Sequence, residues 1–101
     1  MIHVIATVAV ADGRRGDFLR EFHKVVPDVR NEEGCIEYGP AVDLRTDMPQ
    51  VRFRENTVVI VEKWRDLASL QAHLKAPHML AYRKQVKELV IGMEVQVLEP
   101  A

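Results

Sequence analysis

Cysteine is nearly absent: Cys35 alone in 101 residues excludes an intramolecular disulfide framework and a four-thiolate zinc site. A basic excess is missing too. Fourteen Lys and Arg against fifteen Asp and Glu leave a net charge of −1, too little positive charge to neutralise a phosphate backbone, so no nucleic-acid partner is expected. No apolar run approaches membrane-spanning length, and the opening Met1-Ile2-His3-Val4 lacks a signal peptide's basic segment, so the expected location is cytoplasmic, away from the membrane. Neither a glycine-rich phosphate cradle nor a nucleophile elbow occurs, which leaves nucleotide cofactors without their usual landing site. A flavin held without such a motif stays open. What the chain does have is apolar content, 48% against 29% charged residues, sufficient for one domain to fold without metal or disulfide staples.

Ile2 to Val10 contains only His3 and Thr7 as polar residues and is rich in β-branched side chains, the pattern of a strand. After Asp12-Gly13, the apolar positions Phe18, Phe22, Val25, Val26 and Val29 fall on one helical stripe between about Arg14 and Val29. Pro27 cannot donate to the carbonyl of His23, so a bend or restart is expected there. Glu33-Gly34 closes this helix. Cys35 to Leu44 reads as a weaker strand interrupted at Gly39-Pro40, and Arg45 to Asn56 as a long connection with extended pairing around Val51 to Phe53. Thr57 to Trp64 is the second strong strand. Asp66 is suited to cap a helix carrying Leu67, Leu70 and Leu74, and Pro77 to open another whose stripe is Met79, Tyr82, Val86, Leu89 and Val90, with Gly92 as its stop. Met93 to Leu98 alternates as a last strand. The order β-α-β-β-α-β defines an α+β, ferredoxin-like domain with an antiparallel sheet and its helices on one face.

Such a sheet covers one face only, yet both strong strands are apolar on two. Val4, Val8 and Val10 oppose Ile5 and Ala9; Val58 and Ile60 oppose Val59 and Val61. Leaving several of these in water forgoes roughly 1.5–3 kcal/mol each. A homodimer packed sheet to sheet, with the helices outside, removes the conflict.

Candidate chemistry gathers near the second strand. Glu62 and Trp64 share a face with Val58 and Ile60, so the indole is placed to stack on a planar ligand and the carboxylate to accept a proton or orient a base. The alternative is a core tryptophan with a carboxylate tied to backbone or arginine. His73 sits beside the leucine stripe as a candidate general base or a satisfied boundary histidine. Arg83 lies inside the stripe of the last helix, where it must meet an anion, such as Glu62 or a ligand phenolate, or snorkel outward. Tyr82 is placed to donate to a ligand oxygen or to pack, and Thr7 to line the same cavity. His73 and His78, five residues apart across Pro77, do not form a recognised metal pair, and no metal site is expected.

Taken in order, Glu33-Gly34-Cys35-Ile36-Glu37-Tyr38, Glu62-Lys63-Trp64-Arg65-Asp66, Leu70-Gln71-Ala72-His73-Leu74 and Ala76-Pro77-His78-Met79 resemble the antibiotic biosynthesis monooxygenase family of dimeric α+β barrels, in particular its quinol-monooxygenase-like members. The resemblance implies a single family domain over nearly the whole chain. It also implies a cofactor-free oxygenase that oxidises a hydroxylated aromatic or quinol with dioxygen to a quinone. In that scheme His73, Glu62 and Arg83 are catalytic: His73 takes or relays the proton, Glu62 orients it or the substrate, and Arg83 balances the phenolate. Trp64, Tyr82, Thr7 and His78 are the substrate contacts. Related dimeric barrels degrade haem, and Trp64 corresponds to a tryptophan they use, but Thr7 stands where they carry asparagine. Isomerases of small carbonyl compounds and non-catalytic dimers binding an aromatic metabolite are the other readings.

Overall fold

The computed structural model describes residues 1–101. Its elements run β1 (Ile2–Val10), α1 (Arg15–Arg30), β2 (Cys35–Ala41), β3 (Thr57–Trp64), α2 (Leu67–Leu74), α3 (Pro77–Val86) and β4 (Val90–Leu98). The four strands form one sheet in the order β2-β3-β1-β4, and every neighbouring pair is antiparallel. This is the ferredoxin-like α+β arrangement that the alternation of strand and helix patterns implies. No helix is long and apolar enough to cross a membrane.

The core lies between one face of the sheet and α1. Val4, Ala6, Val8 and Val10 from β1 and Val58, Ile60 and Trp64 from β3 point into it, meeting Phe18, Phe22, Val25, Val26 and Val29. These five α1 residues are the ones that share the helical stripe. The opposite face of the same strands carries Ile5, Thr7 and Ala9 beside Val59 and Val61, with no second layer from this chain upon it.

Several local expectations change. α1 continues unbroken through Pro27, because Val25, Val26 and Val29 anchor the turns on both sides of it to the core. β2 passes through Gly39-Pro40 without interruption and stops at Ala41; β2 is an edge strand, so a proline lacking its N–H leaves no ladder position unfilled. No strand forms around Val51 to Phe53. Residues 42–56 are instead held at their base by Arg54, whose Nε and Nη2 donate to Asp43 at 2.7 and 2.9 Å. α3 ends at Val86, so Leu89 and Val90 do not extend its stripe, and Gly92 lies inside β4. Leu89 still reaches the core from the turn.

Asp66 caps α2 as its position implies, accepting the Ser69 N–H at 2.8 Å. Gly34, between α1 and β2, has φ +82°, and a Cβ there would collide with the Ser69 side chain. Gly34→Ala is therefore expected to destabilise the fold by about 1–3 kcal/mol. The midpoint of urea unfolding measures the loss.

Candidate active site

The period of two along β3 brings Glu62 and Trp64 to the helix-covered face, and α2 lays His73 over them. The Trp64 indole Nε1 donates to Glu62 Oε1 at 2.8 Å. His73 stacks obliquely on that indole, ring centroids 4.6 Å apart, and its Nε2 stands 3.9 Å from Glu62 Oε1. Glu62 and His73 are both buried, at 7% and 1% exposure. Together they line one end of a cavity of about 130 Å³ whose remaining wall is mostly apolar, including Val4, Ala6, Ile60 and Leu70.

The other side of His73 meets a residue that sequence reasoning did not single out. Glu32, in the turn after α1, places Oε2 2.9 Å from His73 Nδ1 and 2.6 Å from His78 Nε2. One carboxylate oxygen thus serves two imidazoles that lie 41 and 46 residues further along the chain. Such separations leave no spacing signal. Glu32 fixes the ring orientation of His73 and favours a proton on Nδ1, leaving Nε2 as the lone-pair side toward Glu62. Tyr38 was also missed. It lines the cavity, sets its ring edge-on to His73 at 5.4 Å and stacks on Phe22 at 5.3 Å.

Burial pushes the Glu62 carboxyl up to about 7, with the nearby Glu32 charge adding to the rise and the Trp64 hydrogen bond opposing it. For His73, burial lowers the pKa below its ordinary value; Glu32 opposes that shift, while Arg83 and His78 reinforce it. Near neutral pH the pair therefore holds a largely neutral imidazole beside a carboxyl that readily keeps its proton. Burial also raises the Tyr38 and Tyr82 hydroxyls well above the ordinary phenol value, which leaves neither as an acceptor of protons.

The remaining candidates do not all converge. Trp64 is fully buried behind Glu62 and His73 and is not part of the cavity wall, so it supports the acid–base pair rather than offering a stacking surface. Thr7 points to the open face of the sheet, opposite Val59, away from the cavity. Tyr82 packs edge-on against Phe18 and Phe22, between α1 and α3, and lines an adjoining cavity of about 180 Å³. His78 faces Glu32 and an outer groove. Arg83 does not pair with Glu62: its exposed guanidinium donates through Nη1 to the Leu74 carbonyl at 2.9 Å, meeting one of the unpaired carbonyls at the end of α2. Its side chain nonetheless borders both cavities.

Access comes along β4. Met93, Val95 and Val97 sit opposite Val8, Ala6 and Val4 on the same face, yet remain 59%, 53% and 52% exposed because the helices stop short of this edge strand. The site is thus an apolar recess, open beside β4, with a carboxyl and an imidazole at its closed end.

Glu62→Gln removes the only carboxyl group of the sheet's covered face. The raised folded-state pKa means that Glu62 binds its proton more tightly folded than unfolded. Its stabilising contribution is full below about pH 4.5 and is lost as the pH rises through about 7. Glu62→Gln is expected to unfold at higher denaturant than the wild type at pH 8, by up to about 3 kcal/mol, with the advantage gone at pH 4. Urea titrations at the two pH values measure it.

The antibiotic biosynthesis monooxygenase family model matches residues 1–85. The chain is 38% identical over 102 residues to the "Probable quinol monooxygenase YgiN" of Escherichia coli (strain K12), covering 99% of this chain and 98% of that one. Among solved structures, PA3566 from Pseudomonas aeruginosa superposes with a TM-score of 0.82 at 26% identity, over 99% of this chain and 93% of that one. Rv0793 from Mycobacterium tuberculosis does so with 0.80 at 28% identity, over 99% and 94%. A family match across most of the sequence, a near full-length relative and this cavity together make the chain a member of the antibiotic biosynthesis monooxygenase family and an enzyme of the monooxygenase class.

Proposed function

We propose that the substrate is a hydroxylated aromatic, in the simplest case a phenol or quinol, oxidised by dioxygen to a quinone without a bound cofactor. The observation that carries this reading is the buried Glu62–His73 pair at the closed end of an apolar recess. A phenol with a free para position and one dioxygen give the quinone and one water. One oxygen atom enters the ring, the other leaves as water, and the substrate supplies all the electrons. The relative named as a probable quinol monooxygenase supports the same substrate class.

In this scheme the substrate hydroxyl sits within reach of both His73 Nε2 and Glu62. His73 takes its proton, which generates the electron-rich phenolate that reacts with oxygen. Glu62, in its protonated form, donates to the phenolate oxygen; a second anion beside the first would be costly in this dry cavity. The apolar walls exclude water from the reactive anion. Arg83 at the rim adds positive potential without touching the acid–base pair, and it remains a candidate to swing toward the phenolate when substrate is bound.

The pH dependence of kcat/KM is expected to be bell-shaped. It rises as His73 loses its proton below 6.5 and falls as Glu62 ionises near 7. Glu62→Gln keeps a donor and should flatten the alkaline limb while retaining turnover. His73→Ala should lower kcat by roughly 10²- to 10⁴-fold. Oxygen uptake with a panel of quinols and hydroxynaphthalenes, without added metal or flavin, tests the scheme; unaltered turnover in His73→Ala removes the imidazole from it.

The functional unit in this reading is a homodimer. Ile5, Ala9, Val59 and Val61 make the uncovered face of both central strands apolar, and a second copy of the same face is the occupant that matches it in composition. Sedimentation at micromolar concentration is expected to give the mass of two chains. Val59→Lys, on the open face, should shift the species toward monomer.

A further inference from the structure

His73 faces the substrate cavity on one side and Glu32 on the other, and Glu32 in turn reaches His78. His73 is 2% exposed at its side chain, Glu32 13% and His78 26%, so solvent access increases step by step along the three groups. His78 borders a solvent-facing groove between α1 and α3, whose charged margins are Glu21, Lys24 and Asp28. The three side chains therefore run from the cavity to the outer surface of the helical layer. Both links, 2.9 and 2.6 Å, are within hydrogen-bond range.

We propose that Glu32 and His78 form a reversible proton path joining the buried His73 to solvent. This inference rests on the reading of His73 as the base. When His73 Nε2 takes the substrate's proton, its Nδ1 proton passes to Glu32 Oε2. Glu32 delivers a proton to Nε2 of His78 when that ring carries its own proton on Nδ1, and Nδ1 then releases one to water, leaving the Nε2–H tautomer that holds Glu32. No electrons move along the path. The oxidation as a whole neither releases nor consumes protons, so the same chain runs inward when an oxygen atom leaves as water, which restores His73 to its starting tautomer. The benefit is electrostatic. Burial disfavours a charged imidazole at His73, and the path transfers that positive charge to a half-open position where water solvates it. Glu32 and His78 do not touch substrate; they are relay and positioning residues.

The test separates the path from the reaction. In the substrate-free full chain, nuclear magnetic resonance follows exchange of the His73 Nδ1 proton with water. His78→Gln keeps an N–H to hold Glu32 but cannot carry a proton, and His78→Phe removes both functions. Exchange is expected to slow by about tenfold or more in each. With a quinol substrate, kcat of His78→Gln is expected to fall roughly 10- to 100-fold at unchanged KM, and added imidazole to restore part of it. Slowed exchange in the His78 variants, together with a wild-type protein that oxidises no quinol, would support the path and reject the quinol reading. Unchanged exchange in the folded Gln variant overturns the path, whatever turnover does.

Discussion

The covered face of the sheet holds one acidic side chain, and its burial organises the site around it. Glu62 lies on β3 among Val58, Ile60 and Trp64, a position that removes a carboxyl group from water. Such a group must find donors or keep its proton. It does both: the Trp64 indole donates to one oxygen, and the pKa rises to about 7. Trp64 in turn supports the His73 ring, and Glu32 fixes that ring from behind. The acid–base pair is thus held between a strand, a turn and a helix. No side chain in this cluster is an unsatisfied buried polar group.

How much of this was visible in the sequence follows from the range of each interaction. Period-two and period-3.6 patterns report local geometry, so the strand faces of β1 and β3, the α1 stripe and the Asp66 cap were legible. The same patterning brought Glu62 to the covered face and His73 to the edge of its helix. Trp64 was placed on the correct face but assigned the wrong neighbours, because periodicity cannot say which elements lie above a strand. Thr7 fails for a simpler reason: it alternates with Ile5 and Ala9, and that alternation already set it apart from Val4 and Val8. Arg83 sits in an apolar stripe, but the unpaired carbonyl at the end of α2 satisfies it before any anion does. Glu32 had no local signal at all. Its role exists only once a turn, α2 and α3 have been packed together.

The sheet's two faces divide the tasks of the molecule. One receives α1 and supplies the core, while the other is left apolar for a second subunit in the proposed dimer. β4 takes part in both: its outward face continues the open surface, and its inward face continues the cavity wall beyond the reach of the helices. An edge strand with unpaired backbone groups and half-exposed valines would otherwise be a liability. Here the incomplete helical cover is also what leaves the cavity reachable.

That incomplete cover has a consequence for how such an enzyme can diversify. The groups proposed to handle protons come from the turn after α1, from β3, from α2 and from α3, whereas Met93, Val95 and Val97 shape the mouth from a strand that lies beyond residue 85, where the family match ends. Enlarging or trimming one of these three side chains alters which molecules fit while leaving the acid–base cluster's hydrogen bonds untouched. In the proposed scheme, reactivity and selectivity are therefore stored in separate stretches of the polypeptide, and a lineage can retune the second without first rebuilding the first.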